Sequence, residues 1–181
     1  MKSLMRNLTA SIIVLFVALN VNAQLNTKQP AKNKNDVNHL QYKDSSIYAR
    51  GLGIIENRLL VGNSDGSVYS IDLKSKENQV VFKQKGINEI RDIEISGNTI
   101  ISMHSGENGK LILLDEEAEI RILALDMWKG VFLDGMDFIG NRGFMMGDPT
   151  NGAFNLFHTN DSGNSWGKCK GTVLSMPGET G

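Results

Sequence analysis

The sequence has little cysteine, little proline and little net charge. It contains one cysteine, three prolines and a formal net charge of −1 in 181 residues. A single thiol forms no disulfide within the chain, so we expect packing alone to stabilise the fold. The near-neutral charge excludes an overall basic character of the kind that attracts nucleic acids or anionic membranes. We therefore predict no nucleic-acid partner.

The sequence also lacks the motifs of nucleotide, flavin and serine-hydrolase sites. Its three histidines, His39, His104 and His158, are not spaced as metal ligands. The single cysteine, Cys169, has no histidine close to it in sequence, and we interpret it as an incidental strand residue. We predict no cofactor, no metal and no catalytic residue.

Residues 1–23 have the three parts of a secretory signal peptide. Lys2 and Arg6 supply the basic start, residues 8–19 supply the apolar core, and small residues end the segment. This apolar run of about 12 residues is shorter than the ~20 that span a bilayer, so we expect no membrane span after cleavage. The chain is predicted to be exported, to the periplasm or the extracellular space. Residues 24–44 are rich in Lys, Asn and Gln and predict a disordered linker, because they bury too little apolar area.

The predicted folded part, residues 45–181, alternates short apolar runs with glycine-containing turns, and the pattern repeats. Gly66, Gly109 and Gly152 lie 43 residues apart, each in an Asp-Gly or Asn-Gly pair, which predicts tight hairpins with positive φ. No window keeps the i, i+3, i+4 spacing of an amphipathic helix for long, so a helical fold is excluded. Asparagines recur at separations of 41 and 43 residues, at Asn57, Asn98 and Asn141.

The apolar runs predict β-strands in each repeat. They fall at residues 52–56, 59–62, 67–73 and 80–83 in the first repeat, at 90–95, 99–103, 110–115 and 120–125 in the second, and at 136–139, 143–146 and 153–158 in the third. Four strands in about 43 residues are the dimension of one blade of a β-propeller. We therefore predict an all-β propeller with about three blades. Because closed propellers have about four to eight blades, we expect an N-terminal part of a longer protein that continues beyond Gly181.

The segment TNDSGNSW, which ends at Trp166, matches the S/T-x-D-x-G-x-S-W pattern of the Asp-box, a turn found in β-propellers. Asp161 is placed to accept backbone N–H groups within its own turn, and Gly163 supplies the positive φ that reverses the chain. Trp166 is expected to bury its ring beneath the turn. The corresponding turns of the first two repeats, which begin at Asp72 and Asp115, lack the glycine and the tryptophan. The assigned structural residues are Thr159, Asp161, Gly163, Ser165 and Trp166.

Several phrases of the sequence resemble one protein family. Residues 49–52 (ARGL) and 89–93 (EIRDI) resemble its F-R-G-L and F-R-D-I phrases, and residues 147–166 resemble its G-D-P…G-x-F-x-L…T-x-D-G-G-x-x-W signature. This is the secreted bacterial BNR/Asp-box repeat β-propeller family, which is similar to the photosystem II stability/assembly factor family. Its members are often labelled glycosyl hydrolases or oxidoreductases. The resemblance covers about residues 46–181 and implies a propeller with sialidase-like blades.

Arg50 and Arg91 are the candidate ligand-binding residues. They lie 41 residues apart and therefore hold the same position at the start of the innermost strand in consecutive blades, with Asp134 at the third equivalent position. Two guanidinium groups from neighbouring blades are suited to share one carboxylate or phosphate. The alternative is that both arginines form salt bridges between blades, with Asp92 or Asp134. Asp148, which precedes a proline, is interpreted as a turn-forming residue.

The predicted function is that of an exported, non-catalytic propeller that binds a protein partner or an anionic small molecule or glycan at the mouth of its central channel. This prediction depends on the arginine pair, on the lack of a complete catalytic set and on the resemblance to an assembly factor. The alternative is a glycan-acting hydrolase of sialidase type, in which the same arginines hold a sugar carboxylate. The first arginine of a sialidase stands in an R-I-P phrase, whereas Arg50 is followed by Gly51 and Leu52.

Overall fold

The computed structural model of the protein describes residues 46–106, 108–115 and 119–180. The predicted signal peptide, residues 1–23, and the predicted linker, residues 24–44, lie outside the described residues. Regular structure in the described part is β-strand, apart from one short 3-10 helix at Asp126–Trp128. No helix among these residues has the length and apolar character needed to cross a membrane.

The described residues form three antiparallel sheets of four strands, and each sheet is a meander of consecutive strands. The first sheet contains β1 (Ala49–Ile55), β2 (Arg58–Asn63), β3 (Val68–Asp72) and β4 (Asn78–Phe82). The second contains β5 (Ile90–Ser96), β6 (Thr99–His104), β7 (Lys110–Leu114) and β8 (Ile120–Leu123). The third contains β9 (Leu133–Ile139), β10 (Arg142–Thr150), β11 (Ala153–Thr159) and β12 (Gly167–Lys168).

The eleven strands predicted from the apolar runs are all present, and their ends differ from the predicted ones at several places. Strands β1 and β9 each begin three residues earlier than predicted. Strand β10 continues to Thr150, because the N–H of Asp148 donates to the carbonyl oxygen of Phe132 at 2.8 Å. The interpretation of Asp148 as a turn residue is therefore wrong. Strand β12 is not predicted from the sequence, because it has only two residues, which pair with β11 and form no apolar run.

The three repeated glycines have different structural roles. Asn151 and Gly152 both adopt positive φ, 55° and 78°, as an Asn-Gly hairpin predicts. Gly66 also adopts positive φ, 81°. Gly109 does not, so the prediction of a left-handed turn residue is wrong at that position. A Cβ on Gly109 would lie 2.4 Å from Leu133 Cδ1, which means that this glycine is required by the packing of the next sheet.

The cores of the protein lie between the sheets. Because side chains alternate across a strand, neighbouring residues of the middle sheet contribute to two separate clusters. The cluster between the first and second sheets consists of Leu60, Val68, Phe82, Ile87, Ile90, Ile93 and Ile112. The cluster between the second and third sheets consists of Ile101, Met103, Leu111, Leu113, Trp128, Val131, Leu133, Met136, Met145 and Phe157.

The first strands of the three sheets pack side by side, β1 on β5 and β5 on β9. Glycines permit the first of these contacts. A Cβ on Gly51 would lie 2.9 Å from the backbone of Asp92, and a Cβ on Gly53 would lie 2.9 Å from Ile93 Cγ2. Larger side chains at these two positions of β1 would therefore push the first two sheets apart.

Hydrogen bonds join the second sheet to the third along the same strands. The N–H of Met136 donates to Asp92 Oδ2 at 2.8 Å, and Ser96 Oγ donates to the carbonyl oxygen of Gly140 at 2.7 Å. Four-stranded meanders that pack face to face and meet at their first strands are the blades of a β-propeller. The predicted fold class is confirmed, with three four-stranded blades in the described residues.

Candidate functional site

A cluster of charged side chains lies where the first strands of the three blades begin. Arg50, Arg91 and Asp134 are the second residues of β1, β5 and β9, so the repeat places them at equivalent positions. Glu89 joins them from the residue before β5. Because the first strands pack side by side, these four side chains meet at one end of the blades. We call them the mouth cluster.

Within the mouth cluster, both arginines approach the same carboxylate oxygen. Arg50 Nε lies 2.8 Å from Glu89 Oε1, and the nearer Arg91 terminal nitrogen lies 4.0 Å from it. This oxygen is buried, and no N–H group points at it with hydrogen-bond geometry, although Arg50 is at bonding distance. The attraction is therefore ionic rather than a well-aligned hydrogen bond. The structure brings the two predicted arginines together and places a carboxylate of the chain itself between them.

Arg91 also connects the second blade to the third. Its other terminal nitrogen lies 3.2 Å from Asp134 Oδ1, and its guanidinium carbon lies 5.0 Å from the centre of the Phe132 ring, over its face. A cation over an aromatic face is attracted by the ring quadrupole. Asp92, the other partner considered for a salt bridge, instead accepts the N–H groups of Met136 and Ile93 at 2.8 and 2.9 Å.

The electrostatic environment of Asp134 is unfavourable for its charged form. Its side chain is 5% exposed, and neither carboxylate oxygen has an aligned hydrogen-bond donor. Burial, together with the negative charge of Asp148, raises the pKa of Asp134, while Arg91 acts in the opposite direction. Asp148 lies near the end of β10, which runs antiparallel to β9 and so brings it beside the start of that strand.

The arginine on the first blade is the accessible part of the mouth cluster. The Arg50 side chain is 48% exposed, whereas the side chains of Glu89 and Asp134 are 22% and 5% exposed. An anion that approaches this end of the blades therefore meets Arg50 before it meets either carboxylate. The arrangement is suited to hold one carboxylate between two guanidinium groups.

The Asp-box turn lies at the opposite end of the third blade. There the β11–β12 turn meets the β9–β10 turn, since the N–H of Ser162 donates to the carbonyl oxygen of Asn141 at 2.9 Å. Asp161 Oδ1 accepts the hydroxyl of Thr159 at 2.7 Å and the N–H of Ser165 at 2.9 Å, and Asp161 Oδ2 accepts the hydroxyl of Ser165 at 2.6 Å. The Ser165 and Thr159 hydrogen bonds lower the pKa of Asp161 to about 2.

Two further residues connect this turn to the core. Gly163 adopts a φ of 80°, and its N–H donates to Thr159 Oγ1 at 3.1 Å. Trp166 donates from Nε1 to the carbonyl oxygen of Gly163 at 3.1 Å, and its partly buried ring makes edge contacts with Phe138 and Trp128 at 5.9 and 6.3 Å between centroids. The turn is thereby attached to the cluster between the second and third blades.

The turn of the first repeat also contains an aspartate that accepts N–H groups of its own turn, although it lacks the glycine and the tryptophan. Asp72 Oδ1 accepts the N–H groups of Lys74 and Ser75, both at 2.8 Å, and these bonds lower the pKa of Asp72. Lys76 adopts a φ of 65° in this turn. In the second repeat, Asp115 Oδ1 accepts the N–H of Glu119 at 2.9 Å. In all three repeats an aspartate therefore accepts N–H groups within its own turn, although strand register aligns Asp72 and Asp115 with Asn160 rather than with Asp161.

Sequence reasoning missed Glu89, Phe132 and Asp148 as members of the site. Glu89 stands two residues before Arg91, and this spacing could have suggested that the carboxylate lies near the guanidinium group. Asp148 could have been found from strand direction, since the end of β10 must lie beside the start of β9. Among the residues that the structure describes, no group of three or more His, Cys, Asp or Glu side chains is arranged to hold a metal ion.

No protein-family model and no curated protein sequence matches this chain. Among solved structures, the computationally designed Ika4 protein is 13% identical with a TM-score of 0.46, over 73% of this chain and 74% of that one. The N-terminal domain of Nup159 is 18% identical with a TM-score of 0.43, over 70% of this chain and 30% of that one. The tricorn protease is 15% identical with a TM-score of 0.44, over 62% of this chain and 13% of that one. Likeness at this level carries no argument about function.

Proposed function

We propose that this chain is an exported, non-catalytic β-propeller protein that binds a partner protein or an anionic ligand at the mouth cluster. One observation carries the proposal: Arg50 and Arg91, from neighbouring blades, both approach the single oxygen Glu89 Oε1. Export is proposed from the signal peptide predicted in residues 1–23. Membership of the Asp-box propeller family is proposed from the sequence resemblance, and the hydrogen-bonded turn around Asp161 supports it.

The contacts of Glu89 indicate how an external carboxylate would be bound. An acidic side chain of a partner, or the carboxylate of a small molecule or glycan, would displace Glu89 from the two guanidinium groups. Arg50 makes the first contact because about half of its side chain is exposed. Arg91 is positioned by Asp134 and Phe132, so it loses little conformational freedom when the anion arrives.

The alternative function, a glycan-acting hydrolase of sialidase type, would use the same arginines for a sugar carboxylate. Such an enzyme also needs an acid that reaches the glycosidic oxygen. The pKa of Asp134 is raised by its burial, but the side chain is 5% exposed and pairs with Arg91, so it is not open to a substrate. This burial favours binding over hydrolysis.

Binding can be measured with a fluorescent oligoglutamate peptide as the probe and oligoglutamine as the uncharged comparison. We expect Arg50→Ala and Arg91→Ala each to raise the Kd for oligoglutamate about tenfold or more, because each removes a charge-assisted contact. Glu89→Gln should lower the Kd, because it removes the competing carboxylate. Arg142→Ala is the matched control, since Arg142 is exposed at the opposite end of the third blade. Equal losses in all three arginine variants, or none, would reject the mouth cluster as the site.

The enzymatic alternative has a separate test. The chain is incubated with a fluorogenic sialoside and with aryl glycosides, and release of the fluorophore or phenol is followed over time. We expect no turnover above that of buffer. Turnover that Arg50→Ala abolishes and Arg142→Ala leaves intact would replace the binding proposal with the hydrolase.

A further inference from the structure

The guanidinium group of Arg91 is shared between two carboxylates of the mouth cluster. One terminal nitrogen lies 4.0 Å from Glu89 Oε1, and the other lies 3.2 Å from Asp134 Oδ1. The two carboxylates differ in their access to solvent, because the Asp134 side chain is 5% exposed whereas that of Glu89 is 22% exposed and contacts the half-exposed Arg50. A ligand from solution can therefore take the place of Glu89, while Asp134 stays paired with Arg91.

The formal charges of the four side chains in the mouth cluster balance when one carboxylate lies between the arginines. Arg50 and Arg91 supply two positive charges, and the ion pair with Asp134 offsets one of them. Glu89 offsets the other with one negative charge, and it places a single oxygen, Oε1, near both guanidinium groups. A ligand that replaces Glu89 is therefore matched by one positive charge. Asp148 on β10 adds further negative charge beside Asp134.

The position that the ligand oxygen would occupy is buried, as Glu89 Oε1 is in the structure. An anion that enters this position loses water, and the cost of that loss rises with the square of its charge. Its attraction to one unmatched positive charge rises only in proportion to its charge. A second negative charge on the ligand would also lie near Asp134 without a cation of its own in the mouth cluster, and buried charges without a partner are costly.

We propose that the mouth cluster selects singly charged anions, such as carboxylates, over doubly charged anions, such as phosphate monoesters, and that Asp134 is the residue that determines this selectivity. The inference rests on the proposed function, because it requires the mouth cluster to bind an anion. It adds the chemical class of the ligand. A glutamate or aspartate side chain, or a sugar carboxylate, fits this class, whereas a phosphorylated side chain with its charge of about −2 does not.

Two aryl phosphates that differ by one charge test the selectivity. At about pH 8, phenyl phosphate is a dianion, since phosphate monoesters lose their second proton near pH 6, whereas methyl phenyl phosphate is a monoanion. Titration calorimetry of the 181-residue chain should give a Kd for phenyl phosphate at least about fivefold above that for methyl phenyl phosphate. Simple attraction to two arginines predicts the reverse order. Phenyl phosphate that binds at least as tightly as methyl phenyl phosphate would overturn the proposal without any variant.

Asp134→Asn tests whether this residue determines the selectivity. Without the charge of Asp134, two positive charges are available to the ligand, so the ratio of the two Kd values should fall to about one or below. Asp137→Asn is the matched control, because it removes the same charge from an exposed position of β9 outside the mouth cluster and should keep the wild-type ratio. A loosened fold would weaken both ligands and leave their ratio unchanged. A wild-type ratio in Asp134→Asn, or equal changes in both variants, would overturn the role of Asp134.

Arg50→Ala distinguishes failure of this inference from failure of the proposed function. It should raise the Kd of benzoate, a monocarboxylate, and of both aryl phosphates, because Arg50 is the accessible arginine of the mouth cluster. If Arg50→Ala leaves all three Kd values unchanged, the anions bind elsewhere, and both the proposed function and this inference are overturned. If Arg50→Ala weakens all three anions and phenyl phosphate is still bound at least as tightly as methyl phenyl phosphate, the binding site stands and only its selectivity is overturned.

Discussion

Asp134 and Asp161 lie at opposite ends of the third blade, and their carboxyl groups have opposite surroundings. Asp161 accepts three hydrogen bonds from Ser165 and Thr159, which lower its pKa to about 2. Asp134 is buried without an aligned donor on either oxygen, and this burial, with the charge of Asp148, raises its pKa. The residue type is the same at both places. The difference therefore comes from burial and the charge of Asp148 at Asp134, and from the donors directed at the carboxylate at Asp161.

This difference separates a structural carboxylate from a candidate functional one. A carboxylate whose acceptor sites are filled stabilises its turn, and Asp72 in the first blade likewise accepts N–H groups of its own turn. A buried carboxyl group with unused acceptor capacity lowers stability, and such groups concentrate at functional sites. Asp161 of the Asp-box turn is therefore a structural carboxylate, and Asp134 of the mouth cluster is a candidate functional one.

The largest effect is expected at the tryptophan of the structural turn. Trp166→Ala removes ring contacts with Phe138 and Trp128 and should lower the free energy of unfolding by about 3 kcal/mol. Urea denaturation followed by tryptophan fluorescence measures the change, with Ile120→Ala as an exposed control expected within about 0.5 kcal/mol. If the two variants unfold at the same urea concentration, the turn is not attached to the core as described.

A smaller loss is expected when the carboxylate of the same turn is removed. Asp161→Ala leaves the N–H of Ser165 and the hydroxyl groups of Thr159 and Ser165 without their acceptor, at a cost of about 1 to 3 kcal/mol. Asn160→Ala, next to it in the same exposed turn, should change the free energy of unfolding by less than about 0.5 kcal/mol. Comparable losses in both variants would mean that the Asp161 contacts are not what stabilises this turn.

The carboxyl group of the mouth cluster should behave differently under the same chemical change. Asp134→Asn removes a charge that burial already disfavours, and Arg91 keeps its contact with Phe132, so we expect a smaller loss in the free energy of unfolding than at Asp161. Asp161→Asn is the matched substitution at the structural end and should cost more. The comparison between the two ends fails if Asp134→Asn is the more destabilising of the pair.

The smallest and most specific effect is on pH dependence. The folded-state pKa of Asp161 is below its ordinary value of 3.8, so its stabilisation is present above pH 3.8 and is lost as the pH falls towards about 2. The folded-state pKa of Asp134 is above 3.8, so the protein is most stable below that pH with respect to this group and loses stability as the pH rises through the raised pKa. The thermal unfolding temperature is measured across the acid range. Below pH 3.8 it should fall less steeply with falling pH in Asp161→Asn than in the wild type. Above pH 3.8 it should fall less steeply with rising pH in Asp134→Asn than in the wild type. Identical pH profiles in both variants would contradict the assignment.

Short stretches of sequence were enough to predict the strands and the equivalent positions of Arg50, Arg91 and Asp134. Apolar runs of four to seven residues, bounded by turn residues, predict strands, and the repeat of 41 and 43 residues assigns side chains to matching places. Glu89 and Asp148 could not be assigned in this way. Their roles depend on which side chains meet when one strand lies beside another, and no short stretch of sequence contains that information.

The turns also show that a sequence pattern can locate a feature without giving its structural cause. The first-repeat turn lacks the glycine and the tryptophan, yet Asp72 accepts two N–H groups there, because a carboxylate that accepts the next N–H groups needs only its own turn. Gly109 matches the repeat in sequence, but a glycine is needed there because a Cβ would lie too close to Leu133 of the following blade. The repeat therefore located both turns, but it gave the wrong cause for the glycine at Gly109.

The sequence by itself determined that the chain forms consecutive four-stranded β-meanders, because alternating apolar residues and turn chemistry act within each hairpin. Only the tertiary structure decided which apolar side chains are buried among the described residues, since Ile101 is buried against the third blade whereas Phe144, at the equivalent position of the third blade, is exposed. The same holds for the mouth cluster. Glu89 lies between two arginines, and Asp134 is buried beside Asp148, because packing of successive blades brings together charges that are distant along the chain.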